Sequence, residues 1–216
     1  MEENFLRKLQ DFGQSIWMDF IRRGMLSSGE LQQFIKEDGL RGMTSNPTIF
    51  EKAISGSHDY ANSIRALALK GKDARMIYQT LSLEDIQRSA DLFCSVYQQP
   101  QGRDGFVSLE VFPHLAHDSA GTAEEARQLW KALARPNGII KVPATRQGLA
   151  AIQQLTLEGI NLNVTLLFGL PRYREVGEAY ITGLEEEGVH KFSVPFDSMM
   201  TSLQAKQATA LERNAR

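Results

Sequence analysis

Five short apolar runs, at 15–20, 40–45, 106–112, 138–142 and 161–168, alternate with amphipathic stretches of helical length. No other feature restricts the possible folds as much. Strands that alternate with helices pair in parallel, because each helical crossover returns the chain running in the same direction. Parallel sheets of this kind are normally covered on both faces.

Within the runs, polar residues recur at every second position, the period at which strand side chains share a face. Asp19 stands opposite Ile16, Met18 and Phe20. Ser108 and Glu110 alternate with Val107, Leu109 and Val111, and Lys141 alternates with Ile140 and Val142. Asn161, Asn163 and Thr165 oppose Leu162, Val164, Leu166 and Phe168. A solvated face would explain this in an antiparallel sheet, but parallel strands need an interior for their polar side. A closed barrel supplies one, with residues alternating between helix layer and lumen and functional groups at the carboxyl ends of the strands. The expected fold is therefore α/β, a TIM (β/α)8-type barrel, with Asp19, Glu110, Lys141, Asn163 and Thr165 converging inside. Any one of these alone is more commonly an edge residue or half of an ion pair. Five together are costly to bury unless they satisfy one another or a ligand.

The helices have recognisable ends. The stretch SSGELQQFIKED opens with serines and stops before Gly39. In LSLEDIQRSADLFCSVYQQ, Ser82 and Asp85 have the spacing of a capping box, which predicts a helix start there. TAEEARQLWKALA carries acids in its first turn, and RQGLAAIQQLTLEG spaces Leu149, Ile152 and Leu155 by three before a terminal glycine. Two helix-like patches, FEKAI and HDYANSIRALALKG, add helices between the second and third strands.

Composition narrows the function classes. The chain has 216 residues, 42% of them apolar, which suffices for one core. A net charge of -2 with interspersed signs gives no field that would draw a nucleic-acid backbone or an anionic membrane surface. The single cysteine, Cys94, falls in a helical pattern and can form no internal disulfide, which suits a reducing compartment. The amino-terminal stretch is acidic and no run approaches a membrane span of ~20 apolar residues. A soluble, cytoplasmic protein is expected. His58, His114 and His117 lack the regular spacing of a zinc site, so no metal is expected.

At GMTSNPTIFEKAISGSHDY, residues 42–60, the chain resembles the transaldolase signature, in which a Thr-(Thr or Ser)-Asn-Pro turn precedes a helix. The similarity continues through SLEVFPHLAHDSAGTAEEARQLW, IIKVPATRQGLAAI and EGINLNVTLLFGLPRYREVGEAYITGLE, in the family's order and closest to its longer bacterial subgroup. It covers about residues 5–187.

The resemblance implies a Schiff-base lysine at Lys141, the strand-one aspartate at Asp19, a glutamate acid/base at Glu110 and a water-positioning threonine at Thr165. It places substrate-binding groups at Asn46, Asn163, Thr44 and Ser193. The implied activity is that of a transferase of aldehyde or ketone residues in the non-oxidative pentose phosphate pathway. It passes a dihydroxyacetone unit from sedoheptulose 7-phosphate or fructose 6-phosphate to an aldose phosphate, without metal or organic cofactor. The implied partners are sugar phosphates, with the chain a monomer or homodimer.

Toward the end, SVPFDSMMTS keeps only Ser193 and Phe196 of the family's sixth-strand pattern, without the arginine that follows there. The expected organisation is thus a barrel domain over 1–190, incomplete at its C-terminal end, and a divergent segment over 191–216. Three other functions are compatible with the same residues: a catalytically inactive truncated fragment, another lysine-dependent aldolase, and a non-catalytic sugar-phosphate binding module.

Overall fold

The computed structural model describes residues 4–99 and 103–214, the last eight of these by backbone alone. Five parallel strands form one sheet in sequential order: β1 (Trp17–Met18), β2 (Gly42–Met43), β3 (Val107–Glu110), β4 (Gly138–Pro143) and β5 (Leu162–Thr165). All five apolar runs therefore become strands, each trimmed at one or both ends except around β4. Sequential order with helical crossovers is the winding of a (β/α) barrel, and five strands make an incomplete one. Among the described residues β1 pairs only with β2 and β5 only with β4, so each leaves one edge without a described strand beside it.

The helices are α1 (Phe5–Lys8), α2 (Arg23–Ser28), α3 (Glu30–Gln33), α4 (Pro47–Ser55), α5 (Ala61–Leu69), α6 (Ala74–Tyr97), α7 (Ser119–Leu133), α8 (Arg146–Leu157) and α9 (Leu170–Asn214). One face of the sheet meets them through Met43, Val107, Leu109, Ile140 and Val142, which are buried with Ile86, Ala90 and Phe93 of α6, Ala126 and Leu133 of α7, and Ile152 and Leu155 of α8. These strand residues are the apolar half of the period-two pattern. α9 joins this layer through Val176 and Ala179. At Gly183 it runs so close to α8 that a Cβ would lie 2.6 Å from the Gln153 carbonyl oxygen, a proximity only glycine permits.

Most helix ends follow from local chemistry. Asp118 accepts from Gly121 N–H at the start of α7, and Thr145 accepts from Gly148 N–H at the start of α8. Gly39 and Gly159, with φ of 70° and 73°, end their helical segments in the left-handed conformation.

One expectation needs correction. α6 does not start at Ser82: it starts eight residues earlier at Ala74, capped by Asp73, whose carboxylate accepts from Met76 N–H at 2.8 Å. Ser82 and Asp85 lie buried within the helix, and Asp85 is taken up by a distant arginine instead of a cap. Toward its C-terminal end the chain is helical. A single helix runs across position 190 with Pro195 inside it. A helix satisfies its own backbone hydrogen bonds, whereas a sixth strand would depend on pairing along β5.

Candidate functional site

The register of the sheet builds a row of polar groups. Glu110 of β3 is paired with Lys141 of β4, and Lys141 with Asn163 of β5. Register partners in a parallel sheet point to the same face, about 4.8 Å apart. Three chemically different side chains thus stand side by side on the face away from the helices, near the carboxyl ends of their strands.

Lys141 is at the centre and only 9% exposed. Its Nζ donates to the Ser45 carbonyl oxygen at 3.2 Å and lies 3.6 Å from Glu110 Oε2. Ile139, Ile140, Val142 and Pro143 around it are buried. Glu110 Oε2 is itself buried and makes no hydrogen bond among the described residues. Burial raises the Glu110 carboxyl above its ordinary 4.5, and the Lys141 charge pulls it part of the way back. A carboxyl group that holds its proton more tightly than usual, in ion-pair contact with a confined amine, can exchange a proton with that amine or with water.

The other expected residues are distributed unevenly. Thr165 closes β5 in register with Pro143, one step beyond the row, and is half-buried. Thr44 follows β2, and its hydroxyl accepts from Ser108 Oγ at 3.0 Å. Asn46 caps α4: its side-chain oxygen accepts from Ile49 N–H at 2.9 Å. Asp19 lies one residue past β1 and is exposed; alternation places it on the same face as Trp17, whose ring lies against Gly42. Ser193 does not join the others, being an exposed residue of α9 whose hydroxyl donates to the Val189 carbonyl one turn back. His58, His114 and His117 are exposed and stand apart from the row.

Three contributors were not anticipated. Ser45 is buried beneath Lys141 and supplies the carbonyl that holds it. Period-two alternation assigns its side chain to the opposite face, so only its place in the TSNP turn could have marked it. Ser108, seen in sequence as part of a polar face, is fully buried and laces β2 to β3. Tyr78 packs between Phe50 and Phe112, at 5.9 and 5.8 Å between ring centroids. Its hydroxyl is pushed up to about 12 by burial first, then by the negative charges of Glu110 and Glu125. It lies in the first turns of α6, the part of that helix that sequence analysis missed.

Below the row, a cleft of about 470 Å³ is lined by Trp17, Phe106, Ile139, Asn161 and Asn163, with Tyr180 and Leu184 of α9 on its far side. Of the three residues in the row, Asn163 lines this cleft and Lys141 and Glu110 do not. Among the described residues no helix is long and apolar enough to cross a membrane.

Residues 16–214 match the family model described as Transaldolase/Fructose-6-phosphate aldolase. A transaldolase of Saccharopolyspora erythraea is 46% identical over 181 residues, 84% of this chain and 49% of that protein. A transaldolase of Trichodesmium erythraeum is 44% identical over 185 residues, covering 86% and 49%, and one of Thiobacillus denitrificans is 42% identical over 181 residues, covering 84% and 50%. The chain spans about half the length of these curated relatives. With a buried strand lysine beside a glutamate in register, a TSNP turn behind it and a match over nearly all its residues, the chain belongs to the transaldolase/fructose-6-phosphate aldolase family.

Proposed function

We propose that this chain carries the Schiff-base half of a transaldolase site, with Lys141 as the covalent nucleophile. The observation that supports it most directly is the confinement of the Lys141 amine between Glu110 Oε2 at 3.6 Å and the Ser45 carbonyl at 3.2 Å in an otherwise apolar setting.

A lysine amine attacks a ketone only when neutral. Glu110 is placed to take the amine's proton as the substrate carbonyl approaches. Attack of Nζ on C2 of a ketose phosphate forms a carbinolamine, and protonation of its hydroxyl by Glu110 expels water and leaves an iminium. The iminium accepts the electron pair of the C3–C4 bond as that bond breaks. Asp19, as base, takes the C4 hydroxyl proton, and the shortened aldose phosphate departs. The remaining three-carbon enamine adds to the aldehyde of the acceptor. Hydrolysis then returns the amine, with Thr165 and Glu110 orienting and deprotonating the entering water. Asn163 and the amide NH2 of Asn46 hold sugar hydroxyls, and Thr44 flanks them. The substrates are sugar phosphates such as fructose 6-phosphate, within the pentose phosphate pathway.

The test is borohydride reduction in the presence of fructose 6-phosphate, followed by peptide mass mapping. One label is expected on Lys141 and none in Lys141→Ala. A label on another lysine, or none in the wild-type chain, removes the assignment. A second reading, a chain that forms the iminium without completing transfer, is favoured by the edges of β1 and β5 that pair with no strand among the described residues. It predicts trapping at Lys141 with no transfer to erythrose 4-phosphate.

A further inference from the structure

The ends of β2 and β3 are joined in an unusual way. Their ladder has a single register pair, Met43 with Val107, continued on one side by the Met43 N–H to Phe106 carbonyl bond of 3.0 Å. In a regular parallel ladder the Ser108 carbonyl would next accept from the backbone N–H two residues beyond Met43. Here the Ser45 hydroxyl donates to that carbonyl, at 2.8 Å in a buried position. The side chain thereby anchors the peptide whose own carbonyl oxygen accepts from Lys141 Nζ at 3.2 Å. Ser108 returns the tie by donating from its hydroxyl to Thr44 Oγ1 at 3.0 Å. Ser45 and Ser108 are 1% and 0% exposed, so the clasp is closed to competition from water.

We propose that Ser45 is a positioning residue for the Lys141 amine, its hydroxyl locking the Ser45 carbonyl to β3 so that this carbonyl and Glu110 together aim Nζ at the substrate carbonyl. The inference rests on the Schiff-base role of Lys141. A lysine has four rotatable carbons in its stem, and an amine held by one acceptor alone sweeps a cone of directions. Two acceptors, one on β3 and one in the turn after β2, reduce that cone, and a misplacement of about 1 Å in a reacting group costs on the order of 10²-fold in rate. The next residues, Asn46 and Pro47, turn the chain into α4, with Asn46 extended at φ −155°. The hydroxyl is therefore the last tie to β3 before the backbone leaves the sheet.

The experiment measures trapping of dihydroxyacetone on Lys141 with cyanoborohydride, by intact and peptide mass, across a range of dihydroxyacetone concentrations. Wild type, Ser45→Ala, Ser45→Cys and Ser45→Thr are compared. The maximal trapping rate is expected to fall on the order of 10²-fold in Ser45→Ala, with half-saturation within about threefold of wild type. Ser45→Thr, which keeps the hydroxyl, restores the rate; Ser45→Cys, which keeps the volume but donates weakly, does not. A residue that merely supported the fold would lower stability and leave the trapping rate of the folded fraction unchanged. If Ser45→Ala does not fold, Ser45→Cys decides. Trapping by folded Ser45→Cys at the wild-type rate, or a Ser45→Thr chain as slow as Ser45→Ala, overturns the proposal. A wild-type chain that traps nothing on Lys141 instead overturns the Schiff-base reading, and this inference with it.

Discussion

Arg23 and Asp85 form one buried ion pair of this molecule, and Lys141 and Glu110 form another; they differ in how fully their bonding capacity is used. Asp85 is 0% exposed, and both of its oxygens are bonded, one by Arg23 Nε and the other by Tyr60 Oη, each at 2.8 Å. The same guanidinium reaches Ser63 and Glu84, and its plane lies over the Tyr60 ring at 5.0 Å. At the Lys141 pair the contact is longer, 3.6 Å, and Glu110 Oε2 lacks a hydrogen bond among the described residues. A saturated pair has little to offer a ligand and resists being taken apart. An unsaturated one retains the capacity to bind and to exchange a proton. The first ties the start of α2 to α5 and α6; the second lies where β3 and β4 end.

The comparison can be broken most forcefully at Asp85. Asp85→Ala strands a buried guanidinium and a tyrosine hydroxyl, and is expected to cost about 3–5 kcal/mol in urea unfolding. Because whole-domain stability is about 5–15 kcal/mol, that is enough to populate unfolded chain. A loss under 1 kcal/mol would show that the knot is not structural.

Glu110→Gln should do the reverse, leaving the fold intact while slowing borohydride trapping at Lys141 by about 10²–10⁴-fold, the usual contribution of a general acid/base. A wild-type trapping rate would move the proton-transfer role elsewhere.

Tyr60→Phe sharpens the first site by removing one hydroxyl and the two hydrogen bonds it makes. It leaves Asp85 Oδ2 and the Arg23 backbone N–H without their shared partner and is expected to cost about 1–3 kcal/mol by thermal or urea melts, with trapping unaffected.

The smallest effect is in the pH dependence. The folded chain raises the Glu110 carboxyl above 4.5, so the stability this group contributes is complete below 4.5 and disappears as pH rises through its folded value. Stability measured upward from that pH should therefore decline more steeply in wild type than in Glu110→Gln. Parallel curves would mean that Glu110 titrates alike in folded and unfolded chains.

The two sites were not equally visible in the linear chain. Lys141, Glu110 and Asn163 could be placed on one face because strand alternation is a local rule, and TSNP marked the turn behind them. The knot has no local signature, since Arg23 and Asp85 are 62 positions apart and Tyr60 and Asp85 are 25 apart. In sequence Asp85 even resembled part of a helix cap. The start of α6 was misplaced for a different reason: two local cap signals compete, and Asp73, not Ser82, is the one the helix uses.

What the amino-acid order determined unaided was periodicity: five strands, the face each polar residue takes, and most helix ends, all set by neighbours a few residues away. Three-dimensional packing decided which groups meet. Only the register of β3, β4 and β5 puts Glu110 and Asn163 on either side of Lys141, and only the close passage of β2 brings the Ser45 carbonyl to the amine. Burial there reflects every surrounding element, and so does the upward shift of the Glu110 carboxyl. Whether an ion pair is saturated depends on partners far away in the chain, which no local pattern encodes.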